Sequence, residues 1–216
     1  MVYIERGIQG DVVREIEQFS VKYIDVYSLK NLYIMMHELL QEEGWLGFED
    51  NEDGLNAHSD LETLYSENVY QQGIHKGGKE YWVWWRAYKK YQGRRSDYFM
   101  NVLDVDWHCV AMQEIEIMHQ GKKMKTQQGE IELFFKPRII SDVGNKWKNN
   151  AFLKYVKKIY EDRMMHAYLE KREKDLWRDA YRIQSKAKSY LTLRTWMPTP
   201  ELFHPKQHGF ENPQHI

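Results

Sequence analysis

The chain has a single cysteine, Cys109, in 216 residues. One cysteine cannot close an internal disulfide, so a disulfide-stapled scaffold is excluded. No run approaches the roughly 18 apolar residues of a membrane-crossing helix. The first 20 residues hold Glu5, Arg6, Asp11, Arg14, Glu15 and Glu17, which breaks up any signal-peptide apolar stretch. These absences predict a cytoplasmic protein. Several catalytic signatures are missing too. His37-Glu38 is followed by Leu-Leu-Gln, so it is not HExxH, and there is no CxxC, GxSxG or glycine-rich phosphate loop. No β-α-β alternation is visible, which argues against a dinucleotide-binding fold. Repeats and low-complexity tracts are likewise missing.

What the chain has in quantity is aromatic rings. Tyr, Trp and Phe make up 14% of it, with 15 Tyr and 8 Trp. Each ring buries roughly 150–250 Å², so an aromatic-rich core is expected. Net charge is −1, but its distribution is uneven. Residues 1–62 hold 14 acids and 4 bases, whereas residues 144–196 hold 6 acids and 14 bases. Such polarity suits either an anionic partner on the basic part or mutual neutralisation within the fold. The second reading is favoured.

Local patterning predicts one α+β domain over residues 1–196. Val12–Phe19 fits a short helix. Phe19–Tyr27 alternates and reads as a strand. Ser28 is a candidate N-cap, and Leu29, Leu32, Tyr33, Met36, Leu39 and Leu40 form one helical face ending near Gly44. The acidic stretch 49–62 reads as a loop, without the ligand ladder of a calcium site. Between about 64 and 140 the chain predicts an antiparallel meander of about four to six strands. Its turns are placed at His75–Gly78, Gln92–Asp97, His119–Lys122 and Gln127–Gly129, with Tyr98–Met112 and Glu114–Met118 as separate strands. Helices are expected over about 147–195. One stripe holds Ala151, Phe152, Tyr155, Val156 and Ile159. A second holds Leu169, Leu176, Ala180, Ile183, Ala187 and Tyr190. A kink is anticipated near Met164–Tyr168. Pro198 and Pro200 end the helix, leaving 197–216 as an extended tail.

Three constellations bear on function. Asp104, Asp106 and His108 alternate along one strand and share a face, with Leu103, Val105, Trp107 and Cys109 on the other. Two carboxylates and an imidazole are ligands for a divalent metal, or a base with its orienters, and Glu114 follows as a further oxygen donor. A half-exposed sheet face has the same pattern. Neighbours two apart on a strand also stand about 6.5–7 Å apart, which suits convergence poorly. In YWVWWR, aromatics occupy both strand faces. One set serves the core, and Trp82, Trp84 and Arg86 are then candidate binding anchors. The basic helices carry Lys146, Lys148, Lys154, Lys157, Lys158, Lys171, Arg172, Arg178, Arg182, Lys186 and Lys188, interrupted by acids that pair along the helix.

The ordered blocks YWVWWR, LDVDWHCV and EIEIMHQGKKMKTQQGEIELFF, followed by the basic helix and LRTWMPTPELFHP, resemble uncharacterised hypothetical proteins of small-genome archaea. The resemblance covers roughly residues 29–206. It implies a stand-alone cytoplasmic domain and brings no activity, cofactor or partner with it.

The reading favoured from sequence is a non-catalytic binding protein that contacts a protein partner, or a second copy, through an aromatic sheet face and long helix. No cofactor is evident in that reading. The alternatives are a metal-dependent hydrolase using Asp104, Asp106, His108 and Glu114, and a nucleic-acid-associated protein using the basic helices.

Overall fold

The computed structural model describes residues 2–5, 8–45, 47, 61–72, 75–90, 98–119 and 122–191. The acidic stretch up to residue 60, the 92–97 connection and the 197–216 tail lie outside the described residues. Seven strands form one antiparallel sheet. They are β1 (Val2–Glu5), β2 (Ile8–Glu15), β3 (Phe19–Tyr27), β4 (Glu62–Gln72), β5 (His75–Lys90), β6 (Phe99–His119) and β7 (Lys122–Ser141). Six follow the order β1-β2-β7-β6-β5-β4, and β3 also pairs with β7. The expected meander is present as β4 to β7. The sheet is larger than expected because β1, β2 and β3 join it. The short helix anticipated over Val12–Phe19 is instead β2, an irregular link, and the start of β3.

That link has a local cause. β2 and β3 lie end to end along the same edge of β7, with Glu15 opposite Arg138 and Phe19 opposite Phe135. Between them the Ile16 N–H donates to the Pro137 carbonyl at 3.1 Å. The amide that would return this bond is missing, because proline has no N–H. The ladder therefore breaks opposite Pro137 and resumes at Phe19.

Two glycine clusters expected to be turns lie inside strands. Val110 pairs with Glu130 and Gln113 with Gln128, so β6 carries one extra residue at Ala111–Met112. Ala111 has φ of 54°, as an inserted residue in a bulge often does. Gly78 on β5 and Gly129 on β7 flank it. A Cβ at Gly78 would lie 2.6 Å from the Ala111 carbonyl carbon, and one at Gly129 would lie 2.5 Å from Met112 Sδ. These glycines are there for close approach, not for chain reversal. Tyr98–Met112 and Glu114–Met118 are consequently one bent strand.

Helix α1 (Leu29–Glu42) joins β3 at one edge of the sheet to β4 at the other, so it must cross one sheet face. The Ser28 hydroxyl caps it by accepting from the Asn31 N–H, and Gly44 follows with φ of 79°. Leu32, Met36 and Leu40 are buried against Trp85 and Trp107 of the sheet. The core face carries Tyr81, Val83, Trp85, Leu103, Val105, Trp107, Cys109, Ile131, Leu133 and Phe135, all buried. Each large apolar group so placed contributes about 1.5–3 kcal/mol. Burial pushes the Cys109 thiol up to about 12 against the pull of the Tyr27 hydroxyl, so it stays protonated at neutral pH.

After Ser141 the chain turns through Asp142 and Asn145, both with φ above 50°. The helix expected from Trp147 begins later, as α2 (Leu153–Ile159). A π-helical turn, Tyr160–Met164, extends it. Helix α3 (His166–Tyr190) starts after a break at Met165, within the anticipated kink region. Leu169, Leu176, Ala180, Ile183 and Ala187 bury as predicted. The stripe on α2 does not, because Phe152, Tyr155 and Ile159 are exposed. Among the described residues no helix is long and apolar enough to cross a membrane.

Candidate functional site: the outer sheet face

The sheet face away from α1 and α3 holds the singled-out residues. Register sets its rows. Arg86 and Lys136 flank Asp104; Trp84 and Phe134 flank Asp106; Trp82 and Glu132 flank His108. The three residues share this face, as alternation predicts.

They do not converge on a common point. Asp104 receives Arg138 Nη1 at 2.7 Å, with Arg86 Nε at 3.6 Å. Asp106 receives Arg86 Nη1 at 2.5 Å and Lys136 Nζ at 2.7 Å. Asp104 and Asp106 are only 4% and 8% exposed, so these cations replace their lost hydration. Arg138 also donates to Glu15 at 3.1 Å. Burial alone would lower the Arg138 pKa, but Asp104 and Glu15 hold it above the ordinary arginine value. The result is a chain of alternating charges, Glu15–Arg138–Asp104–Arg86–Asp106–Lys136.

His108 belongs to a different group. Its ring stacks on Trp82 with centroids 3.7 Å apart, and its Nε2 lies 2.8 Å from Glu80 Oε1. Glu80 also accepts from Trp82 Nε1 at 3.1 Å and from the Tyr70 hydroxyl. The Tyr70 hydrogen bond, then that of His108, hold the Glu80 carboxyl below its usual range. Among the described residues no three His, Cys, Asp or Glu side chains are grouped to hold a metal ion.

Glu114 does not join Asp104, Asp106 and His108. The Ala111–Met112 bulge shifts the alternation by one, so Gln113 continues the outer face and Glu114 falls on the other. Strict period-two counting from Asp104 could not register an inserted residue.

Of the three predicted anchors, Trp84 is the most open, at 39% exposed, with Trp82 half-buried beside it. Arg86 is not a free anchor. It is buried between the two aspartates, with its guanidinium carbon 5.5 Å from the Trp84 ring centre. Leu64, Trp84 and Phe134 stand in one row across β4, β5 and β7, with the paired Asp106 of β6 between Trp84 and Phe134.

A second polar cluster escaped sequence reading. Lys157, nearly buried, bonds Asp11 at 2.6 Å and Asp142 at 3.3 Å, with Glu161 at 4.0 Å. Asp142 also accepts the Trp147 and Lys148 N–H groups at 2.7 and 2.9 Å. Glu161 accepts from Ser141 at 2.5 Å and from Tyr98 at 2.8 Å. Burial first, then Glu161, raise the Tyr98 pKa. These residues lie up to 150 positions apart in the chain, so no spacing motif could have announced them. The cluster ties β2, the end of β7 and α2 together.

The basic helical residues are partly committed as well. Lys157 and Arg172 are buried, Arg182 pairs with Glu43 at 2.7 Å, and Arg178 with Asp175 at 3.4 Å. No family model, no curated protein and no solved structure matches this chain.

Proposed function

We propose that this protein is a non-catalytic binding module that engages a protein partner through its outer sheet face, with Trp84 at the centre of the contact. The observation that carries the reading is the exposed Trp84 indole, backed by Arg86 and set in a row with Leu64 and Phe134. Rigid aromatic side chains with little entropy to lose dominate protein contacts. The ion lattice beneath fixes their positions. The carboxylates and imidazole that would serve a hydrolase are engaged by cations, by Glu80 and by Trp82, which favours binding over chemistry.

Charge favours a protein over a nucleic acid on this face. The rows from Val102 to Val110 hold four bases, Lys22, Arg86, Lys136 and Arg138. With Glu80 on His108, they hold six acids, Glu15, Glu80, Asp104, Asp106, Glu130 and Glu132. A phosphate backbone would meet net repulsion there.

The test is affinity capture with the full chain, its Trp84→Ala variant and a Trp177→Ala control. Truncating a central anchor costs at least ~2 kcal/mol of binding, roughly 30-fold. A partner retained by wild type and Trp177→Ala but lost with Trp84→Ala supports the reading. Equal retention by all three sinks it.

A further inference from the structure

Helix α2 presents its apolar stripe outward. Phe152, Tyr155, Ile159 and Met164 are between 56% and 73% exposed. Phe152, Tyr155 and Ile159 are spaced three and seven apart, so they share one helical face. Met164 adds to the patch from the π-helical turn. The inward side of α2 is set by Lys157, held by Asp11 and Asp142, with Val156 and Leu153 partly buried beside it. The orientation is therefore enforced by buried ion pairs, not by the apolar residues. Large apolar side chains held outward by such a device mark a contact site.

What surrounds the stripe identifies the occupant. Lys154, Lys158 and Arg163, next in sequence to Tyr155, Ile159 and Met164, are exposed, as are Lys146 and Lys148 ahead of the helix, and Lys154 Nζ lies 4.8 Å from the Tyr155 ring centre. Lys148 is partly engaged by Asp11 at 3.7 Å. The acids of residues 146–164 are Glu161, turned inward to Ser141 and Tyr98, and Asp162. Exposed aromatic and aliphatic side chains interleaved with lysine and arginine suit the interface of an anionic bilayer. There the apolar groups enter the acyl boundary and the cations meet lipid phosphates and carboxylates. We infer that the α2 surface attaches this protein peripherally to an anionic membrane surface, through Phe152, Tyr155, Ile159 and Met164 with the flanking bases. A second protein would need matching acids around an apolar socket, and the outward protrusion of four separate side chains fits a soft lipid phase better.

The test is co-sedimentation of the full chain with vesicles of equal parts phosphatidylcholine and phosphatidylserine, against phosphatidylcholine alone. Binding is expected to the first, weakening as salt rises. Lys154→Gln with Lys158→Gln should lower partitioning by roughly 30-fold, since each base near an anionic surface is worth about fivefold. Tyr155→Ser with Ile159→Ser should lower it by roughly 100-fold or more, with thermal stability retained because both positions are exposed. Failure to sediment with the anionic vesicles overturns the inference, as does sedimentation unaffected by both double variants. Stripe-dependent self-association in light scattering, without vesicle binding, also overturns it and makes the stripe a protein interface.

Discussion

Helices α2 and α3 both carry an apolar stripe at helical spacing, and they treat it in opposite ways. In α3, Leu169, Leu176, Ala180 and Ile183 face the sheet and are fully buried. In α2, Phe152, Tyr155 and Ile159 face outward while Lys157 points in. The difference lies in what the neighbouring elements offer. α3 meets the apolar residues of β3 and β7. α2 meets Asp11 and Asp142, which require a cation. Helical periodicity defines a face, and the partner surface decides which face goes in.

The outward set of α2 depends on Lys157. Lys157→Ala leaves Asp142, 1% exposed, without its cation, and Asp11 with only Lys148 at 3.7 Å. Removing one partner of a buried ion pair costs about 3–5 kcal/mol. Chemical denaturation should show that loss, and hydrogen exchange should show it concentrated in α2. A stability change within ~0.5 kcal/mol would mean that the apolar contacts, not the ions, seat α2. The stripes themselves give the next contrast. Leu176→Ala should destabilise by about 2–5 kcal/mol through the cavity it leaves, whereas Ile159→Ala should stay within about 0.5 kcal/mol as an exposed change. Thermal melts of the two variants side by side would separate the helices, and equal losses would mean that both stripes are packed alike.

The smallest effect is that of pH on the same anchor. Burial alone would raise the Asp11 pKa, but the Lys157 hydrogen bond and charge hold it below the ordinary value. Its stabilising contribution is therefore present above the unfolded carboxyl pKa of ~3.9 and lost as pH falls below that. Burial opposes the raised Lys157 pKa, and Asp11 and Glu161 overcome it. Its contribution is complete below ~10.4 and lost as pH rises beyond. Stability measured across pH should stay level between these limits with respect to this pair. Lys157→Met in an Asp11→Leu background should flatten both ends, and an unchanged acid limb in that variant would assign it to other carboxylates.

A parallel contrast separates the two faces of the sheet. On the core face, Leu103, Val105, Trp107 and Cys109 bury as their alternation predicts, and Trp85 packs at a tilt against Trp107 with ring centres 4.9 Å apart. On the outer face, alternation correctly grouped Asp104, Asp106 and His108, but not the cations that occupy them. Arg86, Lys136 and Arg138 come from two other strands, and only register brings them across. The glycines misled for a related reason. Gly78 and Gly129 look like turn residues in one dimension, and only the pairing of three strands reveals the bulge they flank.

Amino-acid order alone determined the elements whose signal is local. Phe19–Tyr27 alternates, Ser28 caps, Gly44 terminates, and the long α3 stripe repeats without interruption. These depend on residues within a turn or two of each other. Tertiary structure decided everything that depends on a partner distant in sequence. That includes the joining of β2 and β3 to β7 around Pro137, the side on which Glu114 falls, the neutralisation of Asp104 and Asp106, and the outward turn of α2. Each is settled by which hydrogen-bonding or charged group happens to lie across the sheet, and such a group leaves no trace in the local pattern.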